Sequence, residues 1–133
     1  MRKDIPALLE EPQTSVAVVG ATDDPHKYGA VIYRDLKQKG FPVFPVNPNR
    51  RTVDGDPCFA TLADLPETPT IVNIVVPPEK TLEVLRACLA LGLENIWLQP
   101  GAESPETMAF LDEHGLNYLA RACIMTQARF ALR

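Results

Sequence analysis

The sequence predicts an α/β fold: a Rossmann-like, doubly wound, mainly parallel sheet flanked by helices, in a single domain over residues 1–133 with its core at about 14–125. Three observations predict it. Short runs rich in Val and Ile alternate with segments of helical periodicity along the whole chain. The main strand runs do not alternate apolar with polar residues, which points to burial on both faces, as in a parallel sheet covered by helices. Each of the main helical runs stops at a glycine soon followed by another strand, and right-handed βαβ crossovers wind such a rhythm into one sheet.

In chain order, a short helix is expected over residues 4–10, and the first strand is "SVAVV" (15–19). "AVIYRDLKQK" follows as a helix with Ile32, Tyr33 and Leu36 on one face and a stop at Gly40. "FPVFPV" (41–46) is the second strand. From Asp54 to Leu65 the pattern is less regular, and "PCFA" reads as a short edge strand. "TIVNIVV" (70–76) leads into a helix, "PEKTLEVLRACLAL", that starts on Pro78, aligns Leu82, Leu85 and Leu89, and stops at Gly92. After the strand "NIWLQ" (95–99), "SPETMAFLDEH" has Ser104 as N-cap, Pro105 in the first helical position and Gly115 at its end. "LNYLA" (116–120) closes the sheet. No internal repeat, low-complexity tract or flexible linker interrupts this order, and the 13 prolines fall mostly in connections, which they stiffen.

Composition narrows the function. A net charge of −4 offers no bulk basic field for nucleic acid or anionic lipid, so any anion site must be local. No apolar run approaches the ~18 residues of a membrane span, and "MRKDIPALLEEP" lacks the apolar stretch of a signal peptide, so a cytoplasmic protein is expected. Cys58, Cys88 and Cys123 are odd in number and never in C-x-x-C spacing, and His26 and His114 lie far from them in sequence, which argues against a disulfide framework or a metal centre.

Open α/β sheets bind ligands outside the carboxyl ends of their strands, near the point where strand order reverses. That rule nominates Gly20–Thr22, Asn47–Arg51, Val76–Pro78 and Gln99–Ala102. In "VAVVGATDDPHKYG", Gly20 permits a tight turn and close approach of a ligand, Ala21 and Thr22 offer backbone N–H groups, and the next helix can point its positive end at an anion. The second glycine of G-x-G is missing, which disfavours a dinucleotide packed on a short turn. Where NAD-binding folds carry an acidic residue after the second strand, this chain has Asn47-Pro48-Asn49-Arg50-Arg51. Guanidinium groups there suit a phosphorylated ribose. Two common cofactors carry one, NADP and coenzyme A, and the residues alone leave both open. Val76, Pro77 and Pro78 form a rigid apolar lip suited to an adenine or a pantetheine arm, and Gly101 stands where the far end of an elongated ligand could reach.

Together, "VAVVGAT", "FPVFPVNPNR", "IVNIVVPPE", "IWLQPGAES" and "GLNYLARAC" resemble the stand-alone CoA-binding domain family, which is similar to the N-terminal domain of the succinyl-CoA synthetase α subunit. The resemblance covers roughly residues 14–125, with all motifs in order. It implies that Gly20, Ala21 and Thr22 hold the CoA phosphates and that Arg50 stands where the synthetase has the lysine of a T-P-G-K run. It further implies that Val76, Pro77 and Pro78 run along the cofactor, with Cys123 near its thioester end. Asn49 departs from the family's glycine. The synthetase's phosphorylated histidine lies in a second domain, and neither His26 nor His114 matches it, so the resemblance implies binding and not catalysis.

No nucleophile is paired with a base in the sequence, and no acid/base pair stands out. The expectation is a module that binds coenzyme A or an acyl-CoA, with Arg51 or Lys27 assisting Arg50 and Tyr28 stacking or hydrogen-bonding at the loop, without a catalytic centre of its own. Two alternatives remain: an NADP-binding reductase-type enzyme, and an interaction protein of the same fold without ligand. A protein partner or homo-oligomer stays open.

Overall fold

The computed structural model describes residues 4–129; the outermost residues of the expected domain, 1–3 and 130–133, lie outside the described residues. In chain order the elements are α1 (Ile5–Leu8), β1 (Val16–Val19), α2 (Tyr28–Gln38), β2 (Val43–Val46), β3 (Thr52–Val53), β4 (Asp56–Pro57), a 3-10 turn (Leu62–Asp64), β5 (Ile71–Ile74), α3 (Pro78–Leu91), β6 (Asn95–Leu98), α4 (Pro105–Glu113), β7 (Asn117–Ala120) and α5 (Ile124–Gln127). Five of the strands form one sheet in the order β2-β1-β5-β6-β7. Every pairing in it is parallel, with Val16 opposite both Val43 and Ile71, and Asn95 opposite Asn117.

Strand alternation divides the core into two layers. Val16, Val18, Ile71 and Trp97 face one side, where Ile5 and Leu8 of α1, Ile32, Tyr33 and Leu36 of α2, and Ile124 of α5 cover them. Ala17, Val19, Val72, Ile74, Ile96 and Leu98 face the other side, under Leu85 and Cys88 of α3 and Leu111 of α4. β1 and β5 are therefore buried at every residue, which is why their sequences are unbroken apolar runs apart from Asn73. β7, at the edge, is only half-buried throughout.

The expected elements are present, with shifts that have physical causes. α1 is shorter than residues 4–10, because the chain turns after Leu8. α2 starts at Tyr28, two residues ahead of Ala30. β2 starts at Val43, and Pro45 is tolerated within it because its carbonyl faces the open edge and accepts the Phe59 N–H at 3.0 Å. "PCFA" does not form a strand of its own. β3 and β4 instead make a small antiparallel hairpin turning through Asp54 and Gly55, both with positive φ, and Phe59 adds a single bridge beside Val46. On α3 the buried stripe is Thr81, Leu85 and Cys88, not Leu82, Leu85 and Leu89; Leu89 is 40% exposed. A second face of the helix, with Lys80, Glu83, Val84 and Ala87, is turned toward a cleft.

Candidate functional site

β1 ends at Gly20, whose φ of +101° and neighbours leave no room for a side chain: a Cβ there would stand 2.4 Å from the Val75 carbonyl oxygen. The chain then leaves the sheet for seven residues and returns to begin α2. At that return stands Gly29, and a Cβ on it would lie 2.0 Å from the carbonyl oxygen of Gly20. The glycine missing from the G-x-G spacing is therefore supplied after a longer excursion, where it lets the start of α2 press against the end of β1. The excursion is folded on itself. Thr22 Oγ1 accepts the Asp24 N–H at 3.2 Å, and Asp24 accepts the His26 N–H at 3.0 Å.

The loop after β2 is tied to this turn. Asn47 Nδ2 donates to the Ala21 carbonyl at 2.9 Å, and Asn47 Oδ1 accepts the Asn49 N–H at 2.9 Å. Asp23 accepts the Asp54 N–H at 2.7 Å and stands 3.9 Å from the Arg50 guanidinium. The strand order reverses between β1 and β5, because the chain goes outward from β1 to β2 and then crosses back to β5.

An open cleft of about 590 Å³ lies at that reversal. Val19, Gly20, Val46, Val75 and Val76 form its base, and Lys27, Tyr28 and Gly29 one side. Asn47, Pro48 and Asn49 stand at the end of β2, with Ala60, Thr61 and Leu62 beyond them. Pro77 and the face Lys80, Glu83, Val84 and Ala87 of α3 close the far wall. The cleft is thus apolar at its base, with ammonium, amide and hydroxyl groups and the Glu83 carboxylate around it. Tyr28 projects at the mouth, 67% exposed.

Of the residues nominated from sequence, Gly20, Lys27, Tyr28, Asn47, Pro48, Val76 and Pro77 come together in this cleft. Ala21 and Thr22 are buried and do not line it, and neither does Pro78, the first residue of α3. Arg50 follows the lining residue Asn49 without lining the cleft itself. Gly101 lies beyond β6, where its N–H donates to the Glu103 carboxylate at 3.0 Å. Cys123 precedes α5, and its Sγ accepts from Gln99 Nε2 at 3.4 Å. Gln99 in turn accepts from Asn73 Nδ2 and the Ile124 N–H, so Cys123 is fastened to the sheet through a buried amide pair.

Sequence reasoning nominated Asn49 only within the run Asn47–Arg51, and it missed Gly29, residues 60–62 and the α3 face. Lys80, Glu83, Val84 and Ala87 recur at helical spacing, a signal present in the sequence but overshadowed by the leucines. Residues 60–62 carry no local signal; only the fold brings them in. Burial pushes the Cys88 thiol up to about 12 and also raises that of Cys58, so neither is an activated nucleophile. Among the described residues no group of three or more His, Cys, Asp or Glu could hold a metal ion, and no helix is long and apolar enough to cross a membrane.

Comparison with known proteins gives this cleft a context. A conserved hypothetical protein from Pyrococcus furiosus superposes with a TM-score of 0.84 at 40% identity, over 86% of this chain and 99% of that one. The α subunit of acetate–CoA ligase (ADP-forming) II from the same organism is 24% identical over 120 residues, which are 82% of this chain but only 26% of the ligase subunit. The chain therefore spans about a quarter of that relative's length. The uncharacterized protein YneT of Bacillus subtilis is 26% identical over 109 residues, covering 82% of this chain and 81% of YneT. The family model described as CoA binding domain matches residues 14–129, which takes in β1 through α5 and every wall of the cleft, and the chain belongs to that family.

Proposed function

We propose that this protein binds coenzyme A or an acyl-CoA in the cleft at the β1/β5 reversal, as a cytoplasmic module without a catalytic centre of its own. The observation that carries this reading is the cleft itself: an apolar base with two lysines and one glutamate among its lining residues, at the carboxyl edge of a chain whose family is the CoA binding domain. In this reading the diphosphate sits over Gly20 and the start of α2, where the positive end of the helix dipole favours an anion. Ala21 and Thr22 shape that turn from beneath. The adenine lies on the apolar base near Val76 and Pro77, with Tyr28 over the mouth. Arg50, assisted by Arg51, meets the ribose 3′-phosphate with its planar fork. The pantetheine arm runs toward β6 and β7, whose carboxyl ends carry Gly101 and Cys123.

Calorimetric titration with CoA, dephospho-CoA and NADP tests the reading, on protein first shown to carry no co-purified ligand. CoA is expected to bind most tightly. Arg50→Gln should weaken CoA by about 10- to 150-fold, the worth of a charge-assisted contact of ~1.5–3 kcal/mol, and leave dephospho-CoA unchanged. Preference for NADP would redirect the search to an enzyme, and no binding of CoA would overturn the proposal.

A further inference from the structure

Two helices begin at the cleft, and each has a lysine at its start. α2, of 11 residues, has Lys27 as its N-cap, and α3, of 14 residues, carries Lys80 in its first turn. The start of an α-helix is electrically positive, so natural sequences place acids and oxygen-bearing caps there. Neither of these helices has a side-chain cap, and α2 has no acidic residue in its first turn. α3 does have Glu79 there, but Glu79 does not line the cleft. α4, which does not border the cleft, is capped reciprocally by Ser104 and Thr107 with Glu106 in its first turn, whereas the four-residue α1 and α5 lack a side-chain cap as α2 and α3 do.

The lysines do divide between the cleft and the rest of the described surface. Away from the cleft, Lys37 pairs with Asp54 and Asp56, and Lys39 pairs with Asp35. Lys27 and Lys80, both lining the cleft, are in none of the ion pairs among the described residues. Two uncapped helix starts and two unpaired ammonium groups thus flank one cleft from opposite faces of the sheet, in a protein of net charge −4. Glu83, the one carboxylate on the α3 wall, lies about one turn further along the helix. Both ammonium groups are exposed at the positive ends of their helices, where an anion with charge on two sides can meet them.

We propose that Lys80 is a ligand-binding residue that, with Lys27, clamps the diphosphate of the bound molecule from the α3 side, leaving the ribose phosphate to Arg50. The assignment rests on the coenzyme A reading of the cleft and deepens it. It separates two anion subsites that a single titration would blur. A ligand without the ribose phosphate keeps the clamp and loses only the Arg50 contact.

The test is titration of the full chain and of its Lys80→Gln, Lys80→Arg and Arg50→Gln variants with CoA, dephospho-CoA and ADP. Lys80→Gln should weaken all three ligands equally, by about tenfold or more, and Lys80→Arg should restore most of the affinity. The melting temperature of ligand-free Lys80→Gln should be unchanged or higher, since a like charge leaves a helix start. A loss seen only with CoA would move Lys80 to the ribose phosphate and overturn the clamp while leaving the coenzyme A reading intact. No loss, or a lowered melting temperature, would also overturn it. If the parent protein binds ADP but not CoA and Lys80→Gln weakens ADP, the clamp stands and the coenzyme A reading falls. If none of the three ligands binds, both fall.

Discussion

Gly29 sits where helix propensity and packing oppose each other. It lies in the first turn of α2, where alanine would favour the helix by up to about 1 kcal/mol. Its φ is ordinary, so the constraint is purely one of space: a Cβ would meet the Gly20 carbonyl at 2.0 Å, and backbone cannot swing aside as a long side chain can. Overpacking of this kind costs about 1–3 kcal/mol or more and should win. Gly29→Ala is therefore expected to lower stability by roughly 1–2 kcal/mol in chemical denaturation, net of the propensity gain. It should also weaken ligand binding, because the start of α2 is pushed off β1. An unchanged or raised denaturation midpoint would mean that α2 slides freely and that the close approach is not required. The sequence made half of this legible. Gly20 stood out directly after an apolar strand, but Gly29 is nine residues on, outside any fixed motif spacing, and only the folded excursion brings it back. Lys80 was hidden in another way: a lysine among helix charges reads as solvated surface until the neighbouring wall is seen.

At the level of elements, the β3–β4 hairpin is held to α2 by the buried Val53 and, around it, by a set of charges. Tyr33 donates to Asp56 at 2.6 Å, and Lys37 reaches Asp56 at 2.9 Å and Asp54 at 3.1 Å. Arg34 lies 3.5 Å from Asp54. The hydrogen bonds from Tyr33 and Lys37 hold the Asp56 carboxyl below its usual range, while burial and then the Asp56 hydrogen bond raise Tyr33, and the Asp56 and Asp54 carboxylates raise Lys37. The signs follow from these directions. A depressed Asp56 adds stability that is complete above the unfolded value near ~3.9 and is lost as pH falls through the folded value. The raised Tyr33 and Lys37 add stability that is complete below about pH 10 and fades above it. Asp56→Asn should thus cost about 1 kcal/mol between pH 5 and 9, or roughly 3–5 °C in Tm, since these groups are partly exposed. The gap to the parent protein should close as pH drops below ~4. Thermal melts from pH 3 to 9 check this; a gap independent of pH would remove the carboxylate from the explanation. The hairpin was barely legible because its strands are two residues each, too short for periodicity, although Asp54-Gly55 carries the turn chemistry.

For the whole molecule, the βα rhythm and the non-alternating strands were enough to read the sheet, because burial on both faces leaves that mark on every central strand. Strand order left no such mark. It depends on which side of β1 the chain returns to after β2, and so the position of the cleft between β1 and β5 follows only from the folded chain. The same order has an energetic consequence. Both helix layers pack against β1 and β5, which are buried on both faces, so neither layer keeps a core once those strands separate. The protein should therefore unfold in one cooperative step, with calorimetric and van't Hoff enthalpies equal. A ligand held at the β1/β5 reversal contacts both layers through α2 and α3, and stabilises the whole unit rather than one part of it. CoA at 100 times its Kd should add about 2.7 kcal/mol and raise Tm by roughly 10 °C without splitting the transition. Scanning calorimetry with and without CoA separates the possibilities. Two transitions would contradict the shared core. A single transition that CoA fails to move would leave the fold intact and count against the proposed ligand.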